Sequence, residues 1–225
     1  MRKLLFILVL LLLPLSSSAE KLGFISDPHF GTEKVKKTEN GFDVYPKLAK
    51  RFYISSLKNC QSNGIKTLLI TGDIGSKKYW RYTQRMARRY GISLITANGN
   101  HDKRPKNYFI SDRGDYQIVV LDSNQIGNIK GAGGVDEEQK NWLINNLSKP
   151  TLIAMHHSVF NKHNNFSFLP DYDFLKGLPN VKLVITGHNH IQHSEQIGDT
   201  LFFTANALTN NKRVNFYQIE NFFIF

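Results

Sequence analysis

Short apolar runs recur along the chain, and most stop at a turn signal. They cover residues 22–26, 67–71, 93–97, 117–121, 151–155, 181–186 and 201–205. Each is short and rich in Val, Ile, Leu, Phe and Thr, the composition of buried strands. Longer stretches with helical spacing lie between several of them. In 45–61, Leu48, Phe52, Ile54, Ser55 and Leu57 mark one apolar face, closed by Asn63-Gly64. In 77–90, Tyr79, Trp80, Met86 and Ala87 are interleaved with Arg81, Arg85, Arg88 and Arg89. A third helix, 136–147, opens with Asp136 as N-cap and Gln139 three residues on, the spacing of a capping box. Strand–helix–strand alternation predicts layered α/β packing. Two polar loops, 30–44 and 161–173, are long enough to predict a functional role.

The first nineteen residues stand apart. Arg2 and Lys3 form a positive head, residues 4–13 are unbroken apolar, and 14–19 end in Ser17-Ser18-Ala19. That is the layout of an export signal cleaved after Ala19, and the run is too short to span a membrane. The expected organisation is therefore a signal peptide at 1–19 and one domain at 20–225, exported to a periplasm or secreted, with no stable membrane insertion after cleavage. Cys60, the single cysteine, has no internal partner and is expected to be a buried small side chain. Asn146 and Asn165 begin Asn-x-Ser sequons.

With 41% hydrophobic residues the chain can bury a core without disulfides, which excludes disordered, collagen-like and disulfide-scaffold classes. The formal charge of +11 favours anionic partners. The excess is localised: residues 31–113 hold 18 Lys and Arg against 6 Asp and Glu. This surplus either steers an anionic substrate to the strand-end edge or, as expected here, leaves Arg81, Arg85, Arg88 and Arg89 as the solvated face of the helix at 77–90.

The chemistry sits where the strands end. The run at 22–26 leads into Asp27-Pro28-His29, that at 67–71 into Gly72-Asp73, and that at 93–97 into Asn98-Gly99-Asn100-His101-Asp102. The run at 151–155 delivers His156-His157, and that at 181–186 delivers Gly187-His188-Asn189-His190. Strand ends are where open α/β sheets bind ligands. Each motif alone is weak, since Asp often caps turns and His is often structural. Five of the eight histidines directly following strand ends, beside Asp27 and Asp73, predict a metal site. Imidazole, carboxylate and carboxamide without thiolate suit Mn, Fe, Zn or Ni. Seven donors, Asp27, His29, Asp73, Asn100, His156, His188 and His190, exceed what one ion with an open position uses and suffice for two divalent ions sharing a carboxylate.

In that order and spacing, Asp-x-His, Gly-Asp, Gly-Asn-His-Asp, His and Gly-His-x-His resemble the calcineurin-like metallophosphoesterase superfamily from Asp27 to His190. Glu138-Gln139 with Trp142-Leu143 is similar to a helix of the branch that holds cyclic-nucleotide phosphodiesterases and purple acid phosphatases. The resemblance implies a four-layer α/β/β/α sandwich. It implies Asp27, His29 and His190 on one ion, Asn100, His156 and His188 on the other, and Asp73 between them. It also implies His101 as the acid for the leaving oxygen, oriented by Asp102, and His156 rather than His157 as ligand. The implied reaction is attack by a metal-held hydroxide on phosphorus, with Mn, Fe or Zn the expected ions. Ser76, where purple acid phosphatases carry tyrosine, argues against a tyrosinate–iron colour. No Gly-x-Ser-x-Gly elbow supports serine hydrolysis. The expected substrate is a small phosphodiester or phosphomonoester. A nuclease is the alternative, with no recognition motif or aromatic stacking platform evident in the sequence. A non-catalytic binding protein that retains the fold is a further alternative, whose mark would be a missing donor. Oligomeric state leaves no sequence signal.

Overall fold

The computed structural model describes residues 20–32, 43–126 and 133–225. The expected signal peptide and most of the loop at 30–44 lie outside these residues.

Two mixed sheets form the centre. The first has the order β13-β12-β1-β2-β3, where β1 is Leu22–Ile25, β2 Thr67–Ile70, β3 Ser93–Thr96, β12 Tyr217–Glu220 and β13 Phe223–Ile224. Its strands β1, β2 and β3 are parallel and in line, with Ile25 beside Ile70 and Ile70 beside Thr96, so their carboxyl ends finish at one level. The second has the order β10-β11-β9-β6-β5-β4. Here β4 is Phe109–Asp112, β5 Gln117–Val120, β6 Thr151–Ala154, β9 Val181–Thr186, β10 His193–Ile197 and β11 Thr200–Thr204. Strands β5, β6, β9 and β11 run parallel. A two-stranded hairpin, β7 (Phe160–Asn161) with β8 (Ser167–Phe168), fills part of the loop at 161–173.

Period-2 burial sorts each strand between layers. Phe24 and Leu69 meet Ile118, Val120, Leu152 and Ile185 between the sheets. Ile25, Leu68 and Ile70 turn the other way, onto helices α1 (Ala49–Ser62) and α2 (Lys77–Arg89). Val119, Ile153 and Val184 face helix α3 (Glu137–Ile144) and a 3₁₀ turn, Pro170–Leu175. The result is the expected α/β/β/α order of layers.

Two local expectations change. In α1 the buried face is Ala49, Phe52, Tyr53, Ser56, Leu57 and Cys60, while Ile54 and Ser55 are only half-buried. A 3₁₀ turn at Pro46–Leu48 precedes the helix, and the i, i+3, i+4 row runs through the small Ala, Ser and Cys side chains. Burial pushes the Cys60 thiol up to about 12, so it is inert. At α3, Asp136 does cap Gln139 N at 3.1 Å, but the Gln139 amide donates to the Asp136 carboxylate at 3.3 Å instead of accepting from its backbone N–H. It is wholly buried, accepting from Asp122 N at 2.8 Å and donating to Asp122 O at 3.0 Å.

Candidate metal centre

The carboxyl ends of β1, β2, β3, β6 and β9 converge on one edge of the sandwich. Glycines let the loops approach. At Gly187 a Cβ would overlap Ser26 Oγ and Asp27 Oδ2, and at Gly99 it would overlap Asp73. Among the seven expected donors, Asp27, His29, Asp73, His188 and His190 have φ of 50°, 47°, 53°, 67° and 59°. Non-glycine residues avoid this left-handed region unless their surroundings enforce it.

Two groups of donors result, Asp27 with His29, Asp73 and His190, and His156 with His157 and His188. In the first, His29 Nε2 lies 2.9 Å from His190 Nε2 and 3.5 Å from Asp73 Oδ2. Asp27 Oδ1 is 3.2 Å from His190 Nε2 and 3.7 Å from His29 Nε2. In the second, His156 Nε2 lies 3.0 Å from Asn100 Oδ1, 3.2 Å from His188 Nδ1 and 3.5 Å from Asp73 Oδ1. One oxygen of Asp73 thus faces each group. Separations of about 3–3.5 Å are those of neighbouring ligand atoms on one ion with bonds near 2.0–2.2 Å.

The surrounding hydrogen bonds leave these atoms available. Asp27 Oδ2 accepts from His188 N at 3.0 Å and from the Ser26 hydroxyl, whereas buried Asp27 Oδ1 has no hydrogen-bond partner. His156 Nδ1 lies 2.8 Å from Thr71 O; donation to that carbonyl leaves the Nε2 lone pair pointing at Asn100 and Asp73. His157 Nδ1 turns to Ser123 Oγ at 3.0 Å, and its ring packs on His188 with centroids 4.5 Å apart. Burial and the neighbouring His156 and His188 push His157 down to about 2, so it stays neutral. His157, the alternative to His156 in the sequence, falls in the same group as His156 and His188.

Charge supports the same reading. Burial acts to raise the Asp27 carboxyl, but His190, His156 and His29 outweigh it and hold the group well below the usual carboxylate range. Burial pushes Asp73 up, with His156 opposing and Asp27 reinforcing. Burial opposes protonation of His156, yet Asp73 and Asp27 raise it overall. Two buried carboxylates this close are stabilised by cations among them. The donors present therefore fit two divalent ions.

His101 lies at the exposed lip. Its backbone N–H donates to Asp73 Oδ1 at 2.9 Å and its ring stands edge-on to His29, centroids 5.4 Å apart. Asp102 departs from expectation. Its Oδ1 accepts from Gly75 N at 2.6 Å and its Oδ2 from Gly99 N at 2.9 Å, with Arg104 Nη2 at 3.3 Å. The carboxylate braces the loops after β2 and β3 against each other instead of orienting the His101 ring. Sequence reasoning also missed the brace behind them. Asp122, aligned by Gln139, accepts from Asn98 Nδ2 at 3.0 Å and Asn107 N at 3.1 Å, gripping both ends of the loop that carries Asn100 and His101.

Residues 20–192 match the family described as calcineurin-like phosphoesterase. Among curated proteins there is no significant match. A dimetal phosphatase from Danio rerio is similar in structure, with a TM-score of 0.76 at 12% identity over 90% of this chain and 93% of that one. TT1561 of Thermus thermophilus gives 0.62 at 12% identity over 90% and 95%. GAP50, the anchor in the inner membrane complex of Plasmodium, gives 0.57 at 12% over 92% and 83%. At such identity these three likenesses speak for the fold alone. With the family match spanning most of the sequence and two His/Asp groups meeting at the strand ends, the chain belongs to the calcineurin-like phosphoesterase family and is a metal-dependent phosphoric ester hydrolase.

Proposed function

We propose that the chain is an exported dimetal phosphoesterase hydrolysing small phosphodiesters or phosphomonoesters. In this reading Asp27, His29 and His190 hold one ion, Asn100, His156 and His188 the other, and Asp73 is shared. The observation that carries it is the split of Asp73, Oδ2 towards His29 and Oδ1 towards His156. Bound there, two divalent ions would supply Lewis-acid polarisation of the phosphoryl oxygens and a water acidic enough to react near neutral pH.

The chain's own groups do the rest. Asp27, with one oxygen satisfied by His188 N and Ser26, presents the other at a fixed angle. Thr71 O sets the His156 tautomer. In this reading His101, tethered through its backbone N–H to Asp73, passes a proton to the departing oxygen. No expected donor is displaced, which speaks against a non-catalytic binding protein. The Gln139 contact with Asp122 gives the Glu-Gln/Trp-Leu helix a reason to exist, which favours the cyclic-nucleotide phosphodiesterase and purple acid phosphatase branch.

The test is metal analysis of the purified protein beside rates on a phosphomonoester and a simple diester. Two ions per chain with turnover of either ester is expected; one ion or none at full loading overturns the dimetal reading. Export rests on residues 1–19, and material recovered outside the cytoplasm should begin at Glu20. Finding Met1 or Arg2 at its N-terminus would overturn cleavage.

A further inference from the structure

Helices α1 and α2 together carry nine Lys and Arg side chains and no carboxylate. Eight Lys or Arg side chains elsewhere pair with carboxylates, but among the described residues none on these two helices does. A hollow of about 430 Å³ lies here, lined by Lys50, Lys78, Tyr79, Arg81, Tyr82 and Arg85. Lys50 Nζ stands 5.7 Å from the centroids of both tyrosine rings, and Lys78 Nζ stands 5.9 Å from that of Tyr79. Four cations around one small hollow repel one another unless an anion sits among them. The volume is that of a small-ligand site.

The hollow adjoins the metal edge. Tyr79 stacks on Phe30 with centroids 5.9 Å apart and planes 18° from parallel, and Phe30 directly follows His29. Gly31 presses on the same tyrosine, where a Cβ would overlap the ring. The residue next to a donor histidine thus packs on one of the two rings that line the hollow.

The geometry points to a subsite for a second, remote phosphate of the substrate, held by Lys50, Lys78, Arg81 and Arg85 over the tyrosine floor. The inference rests on the small-ester reading above and narrows it to esters carrying a further phosphate group. One such contact adds little salt dependence, a slope of about −0.7 in log affinity against log salt for a single-stranded chain.

The test uses p-nitrophenyl esters of thymidylate, dithymidylate and trithymidylate with the metal-loaded enzyme, reading p-nitrophenolate. They share one reacting group and differ in remote phosphates. We expect kcat/KM to step up tenfold or more once a remote phosphate reaches the hollow, then to level off. Arg81→Gln/Arg85→Gln should abolish the step and leave the thymidylate ester within twofold. Arg88→Gln/Arg89→Gln removes equal charge outside the hollow and should keep the step. No step in the native enzyme, or its loss in both double variants alike, overturns the subsite; the latter means diffuse steering. If none of the three esters turns over, the small-ester reading fails by itself. The subsite is then judged by calorimetric titration of trithymidylate into the native protein and into Arg81→Gln/Arg85→Gln, and equal affinities overturn it.

Discussion

Five donor residues hold left-handed backbone at about 1–3 kcal/mol each, strain that survives only where the surroundings over-determine it. Asp73 shows how. Its carbonyl accepts from His29 N at 2.8 Å, and its Oδ1 accepts from His101 N while facing His156. One residue thus sets the backbone of two motifs and offers an oxygen to each group of donors. Asp73→Asn should lose metal and activity together; metal analysis showing two ions in the variant would contradict the shared role. His101→Ala should keep both ions and slow turnover by about 10²–10⁴, the usual effect of removing a positioned acid. An empty site in that variant would make His101 a ligand. Residue types, order and spacing were legible because the chemistry demands them in the chain itself. The partners of Asp102 were not, because Gly75 and Gly99 offer it only backbone N–H groups, which every residue but proline carries.

At the scale of elements, the strands read as apolar runs are all present, and most end one residue earlier than expected. The strands that were missed are β4, β7, β8, β10, β12 and β13. In β10, His-Ser-Glu-Gln-Ile is largely exposed on an edge, where polar residues are suited and no apolar run forms. Helix α3 was located correctly, while the purpose of Gln139 was not. Three-residue spacing from Asp136 is satisfied equally by a capping box and by a side chain aimed inward. The buried amide makes Gln139→Leu informative. It strands Asp122 N and O, each at about 1–3 kcal/mol. Thermal unfolding should show a loss of that order, with kcat falling more than KM changes as the Asn98–Asp102 loop loosens. A variant as stable and as active as the native chain would show the brace to be idle.

Across the whole molecule, the donors are split between the sheets. Asp27, His29, Asp73 and Asn100 follow strands of the first, and His156, His188 and His190 follow strands of the second. Each proposed ion therefore joins both sheets, and chelation should lower Tm as well as stop turnover. At a metal concentration of a thousand times Kd the linkage is about 4 kcal/mol, or roughly 8–16 °C for a chain of this size. Calorimetry with and without chelator checks it, and an unchanged Tm would mean that the folded chain binds no ion at that affinity. Salt separates substrate classes. A shallow slope of log kcat/KM with poor DNA cleavage fits small esters, whereas efficient DNA cleavage that collapses steeply with salt supports a nuclease. The pairing of Tyr79 and Tyr82 among cations was not read from the sequence, because Tyr79 looked like a core position of an amphipathic helix and Tyr82 was not singled out.

Strand β1 lies between β2 and β12, pairing Leu22 with Thr67 on one side and with Ile219 on the other. Its second neighbour is synthesised almost two hundred residues after it. Until then the strand carrying the chain towards Asp27 and His29 has an open flank, so the cradle for the first ion is completed late in biogenesis. In the proposed dimetal reading, metal acquisition is then a closing event that follows docking of the last strand.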